Sequence, residues 1–298
     1  MSTARCRSPL ATAGWVLVAG AALVLLFVGY QLWGTGLVQS RQQASLRGRF
    51  ERSLAVQRRT ASAPAPAGTV PATPTADPAV GQPVGTLVIP AIGLDQVVVE
   101  GTGPAQLADG PGHYPGTPLP GQPGNAAIAG HRTTHGRPFY DLDALEPGDP
   151  VTVTTLQGTF HYAVIRSQLV SPADVAVLAP SPRAELTLTT CTPRYSAAQR
   201  LVVVARLVTP AAPVSAPARQ EGGPPTVAST DPVHRPEDWL WLGAWLLAGA
   251  GVVSLVALAR RRLGARRAWM APLVAAPLAL VVLFFLFGAV NTLLPASF

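Results

Sequence analysis

Glu185-Leu186-Thr187-Leu188-Thr189-Thr190 alternates polar and apolar side chains and runs directly into Cys191-Thr192-Pro193. Such alternation is the pattern of a half-buried strand. Nine residues after Cys191, Arg200 opens a continuous apolar run, Leu201-Val202-Val203-Val204-Ala205, which reads as a fully buried strand. If the two strands are antiparallel neighbours joined through residues 192–199, Cys191 and Arg200 stand side by side. A strand end presents a side chain to solvent while the sheet holds its backbone.

Working outward, the flanking segments repeat the same signals. Thr86-Leu87-Val88-Ile89-Pro90 and Gln96-Val97-Val98-Val99 are short β-branched runs separated by Gly and Asp. Residues 151–156 and 159–165 flank Gln157-Gly158, a hairpin signal. Asn125-Ala126-Ala127-Ile128-Ala129-Gly130 is a further strand, ending at His131, and residues 138–145 fit one short helix. Closely spaced strands with Gly and Pro turns predict a mainly β domain, a barrel or sandwich, over residues 85–208. No internal repeat is present.

Outside that domain the chain changes character. Of its 298 residues 48% are apolar and 12% charged, a balance that points to membrane spans. Residues 14–32 form an apolar run of bilayer length, preceded by Arg5 and Arg7 and followed by no close cleavage site, so they read as an uncleaved signal anchor. Two further apolar runs, 239–258 and 269–294, flank a loop carrying Arg260, Arg261, Arg262, Arg266 and Arg267. Tryptophans lie in or near the ends of these runs. The positive-inside rule puts the N-terminus and the arginine loop in the cytoplasm and the β domain outside, although Arg41, Arg47, Arg49 and Arg52 vote the other way.

The expected organisation is therefore a cytoplasmic tail and anchor helix (1–36), a juxtamembrane segment and Pro/Ala-rich linker (37–84), the β domain (85–208), a second linker (209–236) and two C-terminal transmembrane helices (237–298). The segment 59–85 holds too few bulky apolar residues to fold. The net charge of +7 comes from arginines clustered beside apolar stretches, with no basic patch interleaved with aromatics, which argues for membrane lipid and against nucleic acid.

There are two cysteines, Cys6 and Cys191. With the first span between them they face opposite sides of the membrane and cannot pair. Cys191 is then an unpaired thiol in an exported domain, and such a thiol is read as reactive. An isolated thiol titrates near about 8.5, so a nucleophilic cysteine needs a base or cation beside it. His131, one of four histidines in the domain with His113, His135 and His161, also sits at a strand end. One cysteine, one histidine and one arginine, each at a strand terminus, form the candidate constellation.

These residues stand in contexts that resemble the sortase family: Ala129-Gly130-His131-Arg132-Thr133-Thr134, then Thr189-Thr190-Cys191-Thr192-Pro193, then Arg200-Leu201-Val202-Val203. Residues 85–94 and 109–117 resemble the family's first strand and the segment before its histidine strand. The resemblance covers the whole central domain and is most detailed for class E sortases of high-GC Gram-positive bacteria, a source that the lysine-free composition matches. It departs at His135, where many class E members carry tyrosine, and in the two C-terminal spans, which exceed the usual single anchor.

The resemblance implies a closed eight-stranded barrel with short helices, to which the three transmembrane helices are added. It implies a cysteine transpeptidase that cleaves a C-terminal LAxTG- or LPxTG-type sorting motif of a surface protein between Thr and Gly. The acyl group then passes to an amine of a cell-wall precursor or a pilin lysine. Cys191 is implied as nucleophile, His131 as acid/base and Arg200 as oxyanion or backbone donor, with Tyr114 and Thr190 as substrate contacts and no metal or other cofactor. Asp141, Asp143, Glu146 and Asp149 read as turn residues. Two other readings stand beside it: an L,D-transpeptidase-like enzyme, which would want Ser and Gly ahead of the cysteine where Thr189-Thr190 stand, and a catalytically silent membrane-tethered binding module.

Overall fold

The computed structural model describes residues 9–61, 78–212, 236–263 and 270–293. They divide into two units, one drawn from residues 1–34 and 232–295, the other from residues 35–231.

The first unit is helical: α1 (Pro9–Gly29), continued by a π-helical turn (Tyr30–Gly34), and, in chain order after the second unit, α4 (Pro236–Arg262) and α5 (Met270–Leu293). Among the described residues, three helices are long and apolar enough to cross a membrane. The helices of this unit meet through aromatic rings: Phe27 and Phe287 edge-to-face at 5.2 Å, Tyr30 and Phe284 at 5.2 Å, Trp245 and Phe285 stacked at 4.8 Å. In lipid, such packing rather than hydrophobic burial holds helices together. Arg260, Arg261 and Arg262 close α4, whereas Cys6, Arg266, Arg267, residues 62–77 of the first expected linker and residues 213–235 of the second lie outside the described residues.

The second unit is a closed barrel of eight strands, ordered β1-β2-β3-β4-β7-β8-β6-β5 with β5 returning to β1. The strands are β1 (Pro83–Ile89), β2 (Leu94–Glu100), β3 (Gly112–His113), β4 (Asn125–Ala129), β5 (Pro150–Thr155), β6 (Gly158–Val170), β7 (Glu185–Thr192) and β8 (Gln199–Leu207). Closure leaves no long free edge. Two pairings, β2 with β3 and β4 with β7, are parallel, and the others are antiparallel.

The barrel core takes Leu87, Ile89, Ile128, Val153, Leu186, Leu188, Leu201, Val203 and Ala205, among others. Because side chains alternate along a strand, the partners in between point outward. On β7 that places Leu186, Leu188, Thr190 and Thr192 inside, and Thr187, Thr189 and Cys191 outside. On β8, Arg200, Val202 and Val204 face out.

Several elements differ from expectation. The stretch 138–145 yields only a 3₁₀ turn, Leu142–Ala144, and β6 runs five residues beyond the expected 165. The short helix α3 (Pro104–Asp109) and the two-residue β3 carry no periodicity long enough to read.

The largest difference is α2 (Thr35–Ala61), a 27-residue helix in the segment expected to be juxtamembrane chain. It belongs to the barrel unit and packs on β1, β2 and α3. Its inward stripe is Thr35, Gln39, Gln43, Leu46 and Phe50, at helical spacings of four, four, three and four. Leu46 and Phe50 are fully buried, and Leu46 clusters with Val97 and Val99. The first three members are polar, which conceals the stripe from a hydrophobicity count.

They nonetheless have partners. The Gln43 side-chain amide accepts from Val97 N (2.7 Å) and donates to Val97 O (3.0 Å) and Asp109 O (2.8 Å). It thereby satisfies β2 where two-residue β3 does not reach.

Candidate active site

The ends of β4, β7 and β8 bring the three candidate residues to one place. Antiparallel pairing puts Cys191 directly opposite Arg200. Directly opposed residues share a face, so both project outward. Parallel pairing sets Ala129 opposite Thr189, and the ladder continues past the strand end with Gly130 N donating to Thr189 O at 3.0 Å. Beyond the strand end, Gly130 O accepts from Thr190 Oγ1 and Arg132 donates to Cys191 O, so His131, between those two residues, lies beside the end of β7. Cys191 is a free thiol, half-buried. His131 is only 8% exposed.

The other histidines are engaged elsewhere. His113 is buried against the Glu100 carboxylate (2.8 Å) and Pro118 O (3.0 Å), and His161 meets Thr152 Oγ1 on the β5–β6 ladder. His135 is different. Its ring stacks on that of His131, with centroids 4.9 Å apart and planes 27° off parallel. Burial pushes His131 down to about 3, helped by the adjacent His135, and burial alone takes His135 down to about 4. Both imidazoles are therefore neutral at pH 7.

A narrow pocket adjoins the site, lined by Tyr114, Thr189, Arg200, Val202 and the segment from Pro172 to Leu178 that leads into β7. Tyr114 Oη lies 3.2 Å from Thr189 Oγ1, and burial raises its phenol above the ordinary value. Thr190 is not on this wall. It points inward, 3% exposed, and its hydroxyl donates to Gly130 O at 2.8 Å, fastening β7 to β4.

Arg132, next to His131 in sequence, is a hub of the site. It is 4% exposed. Its guanidinium donates to Thr192 Oγ1 (3.0 Å), Cys191 O (3.5 Å) and Tyr140 O (3.3 Å), and pairs with the Asp143 carboxylate at 2.7 Å. The residue after the histidine is thus tied to the backbone of the cysteine. Arg194, from the β7–β8 loop, binds Asp141 and Asp143 and lies over the Tyr140 ring at 4.6 Å. A planar five-donor fork suits such multiple anchoring. A buried arginine was not legible from sequence, because the carboxylate that balances it comes from eleven residues away across a loop.

Asp149 accepts from Glu146 N, a turn contact. Among the described residues, no group of three or more His, Cys, Asp or Glu is arranged to hold a metal ion.

Comparison with known proteins points one way. The sortase domain model matches residues 87–208. Sortase SrtE1 of Streptomyces coelicolor is 31% identical over 211 residues, which are 65% of this chain and 56% of that protein, so the chain spans little more than half of that relative's length. Sortase SrtE2 of the same organism is 31% identical, covering 65% of this chain and 80% of its own. Sortase D of Bacillus subtilis is 33% identical, covering 44% and 67%. A solved structure of sortase E from Streptomyces avermitilis is 39% identical, covering 44% of this chain and 91% of its own, with a TM-score of 0.41. With SrtE2 and sortase D each above 30% identity and covered over two thirds or more of their own length, the chain belongs to the sortase family.

Proposed function

We propose that this protein is a membrane-anchored cysteine transpeptidase that acts on a C-terminal sorting motif of the LAxTG or LPxTG type. The observation that carries the reading is the pairing of Cys191 with Arg200 near the end of β7, with His131 standing between Gly130 and Arg132, both of which bond to that strand end. His131, neutral at rest, takes the proton from Cys191 Sγ as the sulfur attacks the Thr carbonyl carbon. The oxyanion that forms is stabilised by the Arg200 guanidinium. As the Thr–Gly bond breaks, His131 passes its proton to the leaving glycine amine and a thioester remains. An acceptor amine then attacks the thioester, loses a proton to His131 and releases the thiol. The acceptor is an amine of a cell-wall precursor or a pilin lysine.

Tyr114 and Thr189 shape the pocket wall beside the thiol and form the recognition surface for the motif. Thr190 contributes indirectly, by fixing the strand that carries the nucleophile. The catalytic unit comprises residues 85–208 with α2 packed on it, and the segments on either side connect it to the membrane helices. The arginines at the end of α4 favour a cytoplasmic position for that helix end, leaving the barrel on the outer face of a multi-pass membrane protein.

Turnover of an LAxTG-type peptide with an amine acceptor tests the chemistry. Cys191→Ala is expected to abolish transfer, and near-full activity would refute the reading. Labelling of Cys191 by a membrane-impermeant maleimide on intact cells tests the orientation, and protection from it would overturn the outward placement.

A further inference from the structure

The catalytic reading leaves one set of buried polar contacts unused, and it lies at the first turn of α2. Thr35 is 2% exposed, and its Oγ1 accepts a hydrogen bond from the backbone N–H of His135 at 3.2 Å. Gly36 lies back to back with Gly136: a Cβ on Gly36 would stand 3.8 Å from the Gly136 Cα. Gln39 is 3% exposed and sits so close to Gly136 that a Cβ there would overlap its side-chain oxygen. The Gln39 amide nitrogen is held in turn by Gln96 Oε1 at 3.0 Å.

What these residues grip is an unusual piece of backbone. His135, Gly136 and Arg137 have φ of 48°, 68° and 45°, three left-handed residues in succession. Two of them carry side chains, for which this region is unfavourable. Such a turn persists only where its surroundings over-determine it. Phe139 N donates to His131 O at 3.1 Å on the far side of the turn, so the loop leaves and returns at His131. Within the loop, the His135 ring is stacked on the His131 ring.

We propose that the first turn of α2 is a positioning element for the acid/base: Thr35 and Gln39 hold residues 135–137 in their left-handed turn, and that turn holds the His135 ring against His131. The inference rests on the assignment of His131 as acid/base. It gives α2 a catalytic consequence beyond covering the edge of β2. Neither Thr35 nor Gln39 lines the pocket beside Cys191, so their effect is on the alignment of His131 and not on substrate affinity.

The test uses the full chain in nanodiscs, with transfer of a sorting peptide to an amine resolved into kcat and KM. Thr35→Val keeps shape and removes the acceptor oxygen, whereas Thr35→Ser keeps the oxygen. The expected result is a fall in kcat of about ten- to a hundredfold for Thr35→Val with KM within about twofold, the scale on which small misplacements of a catalytic group act. Gln39→Ala should move kcat in the same direction, and Thr35→Ser should restore most of the wild-type rate. Wild-type kcat in both Thr35→Val and Gln39→Ala overturns the proposal. So does a loss that Thr35→Ser fails to rescue, or one in which KM rises in step. His131→Ala, run alongside, separates the two levels: undiminished turnover there refutes the role of His131 itself, whatever the α2 variants do.

Discussion

Replacing Arg132 by methionine removes a buried guanidinium whose four partners belong to three segments: Thr192 Oγ1 and Cys191 O on β7, Tyr140 O, and the Asp143 carboxylate. Methionine refills most of the volume, so the loss is chiefly polar. Hydrogen bonds from a charged group are each worth about 1.5–3 kcal/mol net, and breaking a buried ion pair costs about 3–5 kcal/mol. Here the second figure must be discounted. Asp143 is 45% exposed and keeps Arg194 at 3.0 Å, so it is left neither dry nor alone. Thr192 Oγ1 and the Cys191 carbonyl each lose one partner at the strand end. The reasonable total is about 2–3 kcal/mol, confined to the junction of β4 and β7.

Amide hydrogen exchange on the full chain reads this directly. Each 1.4 kcal/mol is a factor of ten in an opening equilibrium, so amides of residues 188–192 should exchange roughly 30- to 150-fold faster, while those of β5 change little. Arg132→Lys should recover less than half of the protection, because a point charge reaches one or two of the partners and not all of them. Exchange within threefold of wild type for Arg132→Met, or full protection for Arg132→Lys, would refute the anchoring role.

Three more outcomes follow from particular contacts. With folded-state values near 3 and 4 against about 6.5 in the unfolded chain, His131 and His135 contribute stability that is fully present above pH 6.5 and lost as pH falls toward 4. The unfolding midpoint should drop steadily between pH 6.5 and 4.5 and less steeply in His135→Gln, and a flat profile would contradict the burial of the pair. Gln43→Met strands the Val97 N–H and C=O at about 1–3 kcal/mol per group, so the Val97 amide should exchange at least tenfold faster, and unchanged protection would show that water replaces the glutamine. Arg200→Lys should retain the fold and lose most of the transfer activity, since a lysine cannot present two parallel donors to the oxyanion, and wild-type turnover would remove Arg200 from the mechanism.

The alternation of residues 185–190 and the apolar run 201–205 were enough to pair Cys191 with Arg200, because a short loop between two strands leaves almost no other arrangement. Short β-branched or apolar runs and the Gln157-Gly158 turn also delivered β1, β2, the β5–β6 hairpin and β4, and length with hydropathy delivered the three apolar helices. All of these are local signals, readable because each element buries its own apolar side chains in a regular rhythm. Tertiary structure alone decided the rest, since in each case the stabilising partner lies far along the chain. The stripe of α2 begins Thr35, Gln39, Gln43, and these glutamines are core residues only because Gln96, Val97 and Asp109 supply their hydrogen bonds. Arg132 becomes a buried hub only because Asp143 and the end of β7 converge on it. Thr190 and Cys191 are consecutive, yet one faces the barrel interior and the other the groove, a parity that follows from which face the closed sheet turns inward. His131 and His135, four residues apart in a loop with no regular period, stack because three left-handed residues fold the chain back and α2 holds it there.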